Sequence, residues 1–304
     1  MNPALKWLFD NTFGFDRPDS RGERFQVRLV EIFTVVATVW LAWKWGLYLT
    51  RISDVVLPLG LAHYIDVSVM FNAPAAYSLA TAISVAAVLG FLNVHRSAYM
   101  VSFLGLVFMY ASRFCLGEIP HSANLAAMTL LGFALAHAFF EDPVQRRRFA
   151  FGFTVLAVGT AYTEAGVSKL IATGVTWPDG RHLWLWINEK SIDHGAKNGF
   201  VQLNWFQQLC VDYWWVATAS LTVGLVSELT SFLFWSRRLR PFIMVSIIGM
   251  HLGILLSMNI LFKLSIIELL LVGLPIADFV NARWPKDETP PNEDGSSPAI
   301  ATAE

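Results

Sequence analysis

Long apolar stretches, separated by short polar and charged stretches, repeat along most of the chain. A helix that crosses a bilayer needs about 20 largely apolar residues. Eight segments approach this requirement, at residues 27–50, 77–93, 98–115, 122–140, 149–172, 213–235, 242–258 and 262–280. The pattern therefore predicts an all-α fold, a polytopic membrane bundle of about eight transmembrane helices. Several segments are short or contain charges, so a count of seven or nine also fits.

Residues 55–71 are apolar too, but Pro58, Gly60, His63 and Asp66 interrupt them. We expect a re-entrant or interfacial segment there rather than a span. The predicted organisation is a polar N-terminal segment (1–26), a transmembrane domain (27–282) and a tail (283–304). The tail is rich in proline, serine and acidic residues, which predicts a disordered segment. No internal repeat is visible, which disfavours a transporter built on inverted repeats.

Arginines between the predicted spans indicate the sidedness of the chain. With eight spans, four clusters fall on the side of the N-terminus: Arg17, Arg21, Arg24 and Arg28; Arg96; Arg146, Arg147 and Arg148; Arg237, Arg238 and Arg240. Because cytoplasmic loops are enriched in Lys and Arg, both termini are predicted to be cytoplasmic, with the chain in a cell inner membrane.

The same topology places residues 173–212, the longest connection between spans, on the outer side. This connection contains Trp177, Trp184, Trp186 and Trp205. Residues 182–187 suit a short helix or re-entrant segment at the outer interface, where tryptophan is favoured. An aromatic belt without further function explains any single tryptophan equally well.

Composition supports a membrane class and excludes several others. Hydrophobic residues make up 55% of the chain and charged residues 15%, against about 25% charged in soluble domains. A net charge of −1 disfavours nucleic acid as a partner. The first 26 residues lack the apolar core of a cleavable signal peptide. The two cysteines, Cys115 and Cys210, suit either buried free thiols or a single bridge.

Motifs for several reaction classes are missing from the sequence. There is no phosphate-binding glycine loop, no G-x-S-x-G nucleophile elbow, no H-E-x-x-H pair and no metal-ligand spacing of Cys and His. Nucleotide hydrolysis, esterase chemistry and zinc proteolysis are therefore unsupported. Haem is weakly supported, because His137 and His251 have no evident mates at matching depth.

Lys169 lies near the outer end of the fifth predicted span. An ionisable group at membrane depth is expensive and by default marks a functional site. Tyr162, Gly166 and Lys169 fall at i, i+4 and i+7 on one helical face, where Gly166 allows a second helix to approach. Glu164 lies about 140° away round the helix and is not the partner of Lys169. Lys169 suits either a base in a desolvated site or an anchor that snorkels to the interface.

Three more ionisable groups are candidates for this layer or its neighbourhood. Glu228 lies mid-span within a stripe of small residues, which is first of all a packing surface and leaves the acid needing a partner or a proton. His251 lies between Gly249 and Gly253 and suits either a hydrogen-bonded core residue or a proton-relay group. His121 opens the fourth span on the outer side, in the layer of Lys169. Glu31 in the first predicted span and Glu268 in the last are also acids within apolar segments, but the residues around them indicate no role.

The run Tyr162-x-x-Ala165-Gly166-x-x-Lys169-Leu170, followed by Trp177-x-x-Gly180, resembles the signature of the HTTM domain. This membrane domain is shared by vitamin K-dependent gamma-glutamyl carboxylase and many bacterial proteins. Weaker similarities are His121-Ser122 and the series Glu228-Leu229, Arg240-Pro241 and His251. The resemblance extends over residues 24–275, most of the chain.

The resemblance implies a membrane-embedded active site that opens to the extracytoplasmic side. Lys169 matches the lysine that deprotonates vitamin K hydroquinone in the carboxylase, and His121 matches an active-site histidine. The resemblance also implies two sets of site residues. The catalytic residues are Lys169, His121, His251 and Glu228, and the contacts for a quinone cofactor are Tyr162, Gly166 and Trp177. Pro120 stands where the carboxylase has asparagine. The chain ends after the membrane domain, without the large lumenal domain that holds the protein substrate, so we do not expect protein carboxylation.

The leading hypothesis is therefore an HTTM-type oxidoreductase or lyase, embedded in the lipid bilayer and acting on a lipid-soluble small molecule. In this hypothesis Lys169 is the base, His121 and His251 orient groups or relay protons, and Glu228 fixes a protonation state. One rival is a non-enzymatic membrane accessory, such as a toxin-maturation or immunity-type helper, with a structural Lys169–Glu228 pair. Another is a carrier for a small apolar substrate.

Overall fold

The computed structural model describes residues 2–51, 57, 59–117 and 123–284, and within these ranges the regular structure is helical, with no strand. The α-helices are α1 Pro3–Thr12, α2 Arg21–Leu49, α3 Ala73–Phe91, α4 Ala98–Phe114, α5 Asn124–Phe139, α6 Pro143–Thr173, α7 Gly180–Asn198, α8 Trp205–Asp212, α9 Trp214–Leu229, α10 Arg240–Met258, α11 Lys263–Gly273 and α12 Ile276–Arg283. Short 3₁₀ turns occur at Gly60–His63, Ser68–Phe71, Gly174–Thr176 and Ser231–Trp235.

Short polar side chains begin several of these helices. Ser20 accepts a hydrogen bond from the backbone N–H of Glu23 at the start of α2, and Asp142 does the same for Gln145 in α6. Asn204 and Gln207 form a reciprocal capping box on α8. These caps satisfy backbone donors that have no partner within the helix, so they fix where each helix begins.

Two apolar clusters organise the bundle. The larger cluster joins α2 to α6 with α10 and α11, and its fully buried side chains include Trp45, Tyr99 and Leu106. The smaller cluster joins α7, α8 and α9 through Leu183, Ile187, Cys210, Ala217 and Leu221. Many large apolar side chains on the outer helix faces are exposed, as on a surface that contacts lipid.

Three of the described helices, α2, α3 and α10, are long and apolar enough to cross a membrane. The number rises to five when two bent pairs each form one span: α8 with α9, bent by 111°, and α11 with α12, bent by 47°. Helices α4 and α5 are apolar but shorter, and α6 contains Glu164 and Lys169. The fold is thus all-α with several apolar helices, as predicted, and the count of eight stays a prediction.

Each predicted span lies in helical structure, but the helices differ from the predicted segments in their ends and in their continuity. Helix α2 begins at Arg21 rather than at residue 27, because Ser20 caps it. The sixth segment leaves the α-helical conformation after Leu229 and continues as a 3₁₀ turn. The last segment is broken before Pro275, whose missing N–H and ring interrupt a helix.

The predicted outer-side helix at 182–187 is much longer, since α7 extends over 19 residues. The described part of 55–71 contains two short 3₁₀ turns and no long helix. Residues 52–56 and 58, His121 with its neighbours 118–122, and the predicted tail from 285 onward lie outside the described residues.

Candidate functional site

Lys169 on α6 and Glu228 on α9 form an ion pair. The Lys169 Nζ donates to Oε1 of Glu228, whose side chain is 7% exposed, whereas that of Lys169 is 28% exposed. The Lys169 ammonium also lies 5.1 Å from the centroid of the Trp177 ring, within the range of a cation–π contact. Lys169 therefore points toward an acid on α9 and an aromatic ring, Trp177.

Gly166 allows α6 and α9 to approach closely at this pair. A Cβ at Gly166 would lie 3.1 Å from both the Glu228 Cβ and the backbone nitrogen of Leu229. This close approach is the role that the helical spacing predicted for Gly166. The second carboxylate oxygen of Glu228, Oε2, is buried and has no hydrogen-bond partner among the described residues. That oxygen is able to hold a proton.

Tyr162 and His251 form a second polar contact, between α6 and α10. The Tyr162 Oη and the His251 Nε2 are 2.6 Å apart, and the two rings meet edge to face at a centroid distance of 5.5 Å. Nδ1 of His251 is buried without a partner in the described part of the chain. Tyr162 and Lys169 both lie on α6, so the two contacts lie along the same helix.

A cavity of about 840 Å³ lies between α7, α9 and α10, with Lys169 and Glu228 in its lining. Leu183, Trp186 and Lys190 of α7 line it at i, i+3 and i+7, so one face of α7 forms a cover. The opposite walls, on α9 and α10, combine large apolar side chains with small residues: Ser220, Gly224, Ser227, Ser246, Gly249 and Gly253. The cavity is thus largely apolar, with one ion pair in its wall. Tyr162 and His251 do not line it.

The start of α7 is fixed by Asp179 and Gly180. The Asp179 carboxylate caps the helix, and its hydrogen bonds from the side chain and backbone of Arg181 lower the pKa of Asp179 to about 2. The Gly180 N–H donates to the Thr218 hydroxyl at 2.9 Å. A Cβ at Gly180 would lie 2.2 Å from the Trp214 carbonyl oxygen, so only glycine permits this approach of α7 to α9.

Glu164 faces away from this site, as its angular position predicted. It lines a second cavity, of about 640 Å³, with Trp45, Phe103 and Tyr110 among the lining residues. The two cavities lie on different sides of α6. His121, which the sequence placed in the layer of Lys169, lies outside the described residues.

The other ionisable candidates have structural partners. Glu31 accepts hydrogen bonds from the Tyr99 hydroxyl at 2.7 Å and from Arg28 at 2.6 Å. Glu268 accepts from the Thr129 hydroxyl. His137 contacts the Phe133 carbonyl and Asn93, and both cysteines are buried free thiols. Among the described residues, no group of three His, Cys, Asp or Glu side chains is placed to hold a metal ion.

Trp186 and Lys190 were missed as site residues. Their signal was present in the sequence, because Leu183, Trp186 and Lys190 repeat at helical spacing from within the stretch expected to contain a helix.

Comparison with protein-family models, with curated proteins and with solved structures found no match to this chain.

Proposed function

We propose that this chain is an integral inner-membrane protein with eight membrane segments and both termini in the cytoplasm. The alternation of arginine clusters along the sequence supports this topology. The exposed apolar side chains on the outer helix faces support contact with lipid. In this orientation Lys169 and its cavity lie toward the outer side, while Arg148 and Arg240 lie toward the cytoplasm.

The proposed activity of the large cavity is to bind a lipid-soluble molecule with an ionisable hydroxyl, such as a hydroquinone, and to remove its proton. The Lys169–Glu228 pair in the wall of an apolar cavity is the observation behind this proposal. The volume of about 840 Å³ lies within the range of roughly 300–1,000 Å³ typical of small-molecule sites. The resemblance to the HTTM domain supports the same chemistry.

The pair provides a route for the proton. Transfer of one proton from the Lys169 ammonium to Glu228 gives a neutral amine and a neutral acid, a form that an apolar ligand favours over two charges once it fills the cavity and displaces water. The amine then accepts the hydroxyl proton of the ligand, and the resulting ammonium stabilises the oxyanion beside it. The transferred proton is held on Oε1 of Glu228, the oxygen that accepts the hydrogen bond from Lys169.

Tyr162 and His251 are assigned a positioning role in this proposal. Their hydrogen bond joins α10 to the face of α6 that also carries Lys169. This contact therefore helps to hold α6, and with it Lys169, in place against α10.

A membrane accessory with a structural ion pair is the second candidate function. The direct bond between Lys169 and Glu228, which joins α6 to α9, favours it. Replacement of Lys169 by arginine separates the two proposals, because arginine keeps the charge and the pair but does not release its proton near neutral pH.

The test uses 2-naphthol, a stable aromatic alcohol whose anion is distinguished by its fluorescence. We expect the purified protein in detergent to bind 2-naphthol and to raise its anionic fraction at neutral pH. Lys169→Arg should bind the probe without raising that fraction. Lys197→Met, which removes an exposed lysine near the end of α7 and outside the cavity lining, is the control and should behave as the wild type.

Equal ionisation of the probe by wild type and Lys169→Arg contradicts the base role and leaves the structural pair. Absence of binding to the wild type contradicts the apolar site itself. Mass spectrometry of lipid extracts from the purified protein then identifies the natural ligand class, with a co-purifying quinone as the expected result.

A further inference from the structure

A small pocket, separate from the two cavities described above, lies at the N-terminal end of α6. It is about 30 Å from Lys169, from the helical rise over the intervening residues. Its volume is about 100 Å³, and α1, α2, α6, α10 and α12 contribute to its lining. Five arginines and three carboxylates line it: Arg17, Arg147, Arg148, Arg237 and Arg240, with Asp19, Glu23 and Asp278. The lining therefore has an excess of two positive charges.

The three carboxylates are already paired with other arginines. Asp19 binds Arg147 at 3.1 Å, Glu23 binds Arg148 at 3.1 Å, and Asp278 binds Arg237. None of these acids binds Arg17 or Arg240. Arg17 and Arg240 are therefore the side chains that carry the two excess positive charges.

Arg240 is 8% exposed and has no carboxylate partner within the described residues. Its Nε donates to the Phe234 carbonyl at 3.1 Å, and the rings of Phe151 and Phe234 each lie 5.8 Å from its guanidinium. Carbonyls and aromatic rings orient a guanidinium but leave its full charge in place. A buried cation in this condition is costly unless an anion accompanies it.

Arg17 lies in the same pocket and likewise lacks a carboxylate partner in the part of the chain that the structure describes. It donates to the Asp10 carbonyl. The left-handed turn at Gly14, with φ of 58°, returns the chain so that Arg17 packs against it. Burial and the neighbouring Arg237 charge lower the pKa of Arg17, as expected for a cation that needs an anion.

Thr12 adds a neutral donor. Its side chain is 5% exposed, lines the pocket, and its hydroxyl has no hydrogen-bond partner among the described residues. A buried hydroxyl without a partner is rare in proteins and indicates a bound group that completes it.

We propose that this pocket binds a phosphate group, with Arg17 and Arg240 opposing its charge and the Thr12 hydroxyl donating to one of its oxygens. Guanidinium groups match phosphate oxygens in geometry and charge. The pocket volume of about 100 Å³ leaves room for a single phosphate group. The phosphate belongs either to a soluble phosphate compound or to the headgroup of an anionic phospholipid. This inference is independent of the proposed function of the Lys169 cavity.

Thermal unfolding of the full-length protein provides the test. In neutral detergent, inorganic phosphate should raise the unfolding temperature of the wild type more than sodium chloride does at the same ionic strength. Arg17→Gln should weaken the apparent phosphate affinity about tenfold or more, since a hydrogen bond to a charged group contributes about 1.5–3 kcal/mol. Thr12→Val, which is nearly isosteric, should also weaken the response to phosphate. It tests the site without replacing the buried Arg240, whose loss could prevent folding.

Arg238→Gln is the matched control, because Arg238 is exposed, adjacent in sequence to Arg237 and absent from the pocket lining. It should respond to phosphate as the wild type does. A parallel series in nanodiscs of phosphatidylcholine, with or without phosphatidylglycerol, separates the two sources. Stabilisation by inorganic phosphate indicates a soluble ligand, and stabilisation by phosphatidylglycerol alone indicates a headgroup.

Two results overturn the proposal. One is that neither phosphate nor phosphatidylglycerol stabilises the wild type beyond the chloride control. The other is that Arg17→Gln and Thr12→Val respond as strongly as wild type, which moves any anion effect to another surface.

Discussion

Lys169 and Glu228 depend on each other unequally, because the acid is the more deeply buried partner. Lys169→Met leaves the Glu228 carboxylate without its cation. We expect a loss of about 2 kcal/mol in the free energy of unfolding, less than the ~3–5 kcal/mol of a fully buried pair, since the Lys169 side chain is 28% exposed. Denaturant unfolding in detergent measures this loss.

The double variant Lys169→Met/Glu228→Leu should recover most of that stability, because apolar replacement of a whole buried pair is often neutral. A double variant as unstable as Lys169→Met alone would contradict the expectation that the unpaired acid causes the loss of stability.

At the residue scale, helical spacing predicted part of this site and no more. The shared face of Tyr162, Gly166 and Lys169, and the turning away of Glu164, follow from a regular helix and are confirmed. The partners of Lys169 and Tyr162 did not follow. Glu228 and His251 lie on other helices, and the register between helices is set by side-chain packing that no single-helix pattern contains.

Helix α7 depends on one glycine for its position over the cavity. Gly180→Ala should displace α7 from α9, because the added Cβ would lie 2.2 Å from the Trp214 carbonyl oxygen. We expect a loss of about 2 kcal/mol from this overpacking and weaker binding of 2-naphthol, measured by unfolding and by probe titration.

Gly253→Ala is the control for the contact of α7 with α9 at Gly180. Gly253 lines the cavity, but a Cβ there meets no other atom within 4 Å. The stability of the Gly253→Ala variant should stay unchanged or rise by up to ~1 kcal/mol, because alanine favours the helix. Equal losses in both variants would contradict a specific role for the contact of α7 with α9.

At the element scale, apolar runs located the helices but not their ends. Ser20 extends α2 to Arg21, and Pro275 divides the last predicted helix in two. The length of α7 was missed because its second half, from Asn188 to Asn198, is polar and has no apolar run. A polar helix of this kind is held by its cap and by packing of its first half, which depend on tertiary contacts.

The proposed topology makes a prediction for the whole molecule. A membrane-impermeant maleimide applied to intact cells should label Asn198→Cys, which lies at the end of α7, from outside. Ser236→Cys, in the turn before α10, should react only after permeabilisation. Cys115 and Cys210 are buried and give little background. Labelling of both engineered cysteines from one side would contradict eight spans.

The wall of small residues on α9 and α10 has a consequence for how affinities should be measured. At Ser220, Gly224, Gly249 and Gly253, little or no side chain stands between the cavity and the backbones of α9 and α10. Under the proposed membrane placement, an apolar ligand enters sideways from the acyl chains rather than from water. Its effective concentration is then its mole fraction in the bilayer. Apparent affinity will therefore fall as lipid or detergent is added at constant total ligand, because the ligand is diluted in the phase from which it binds.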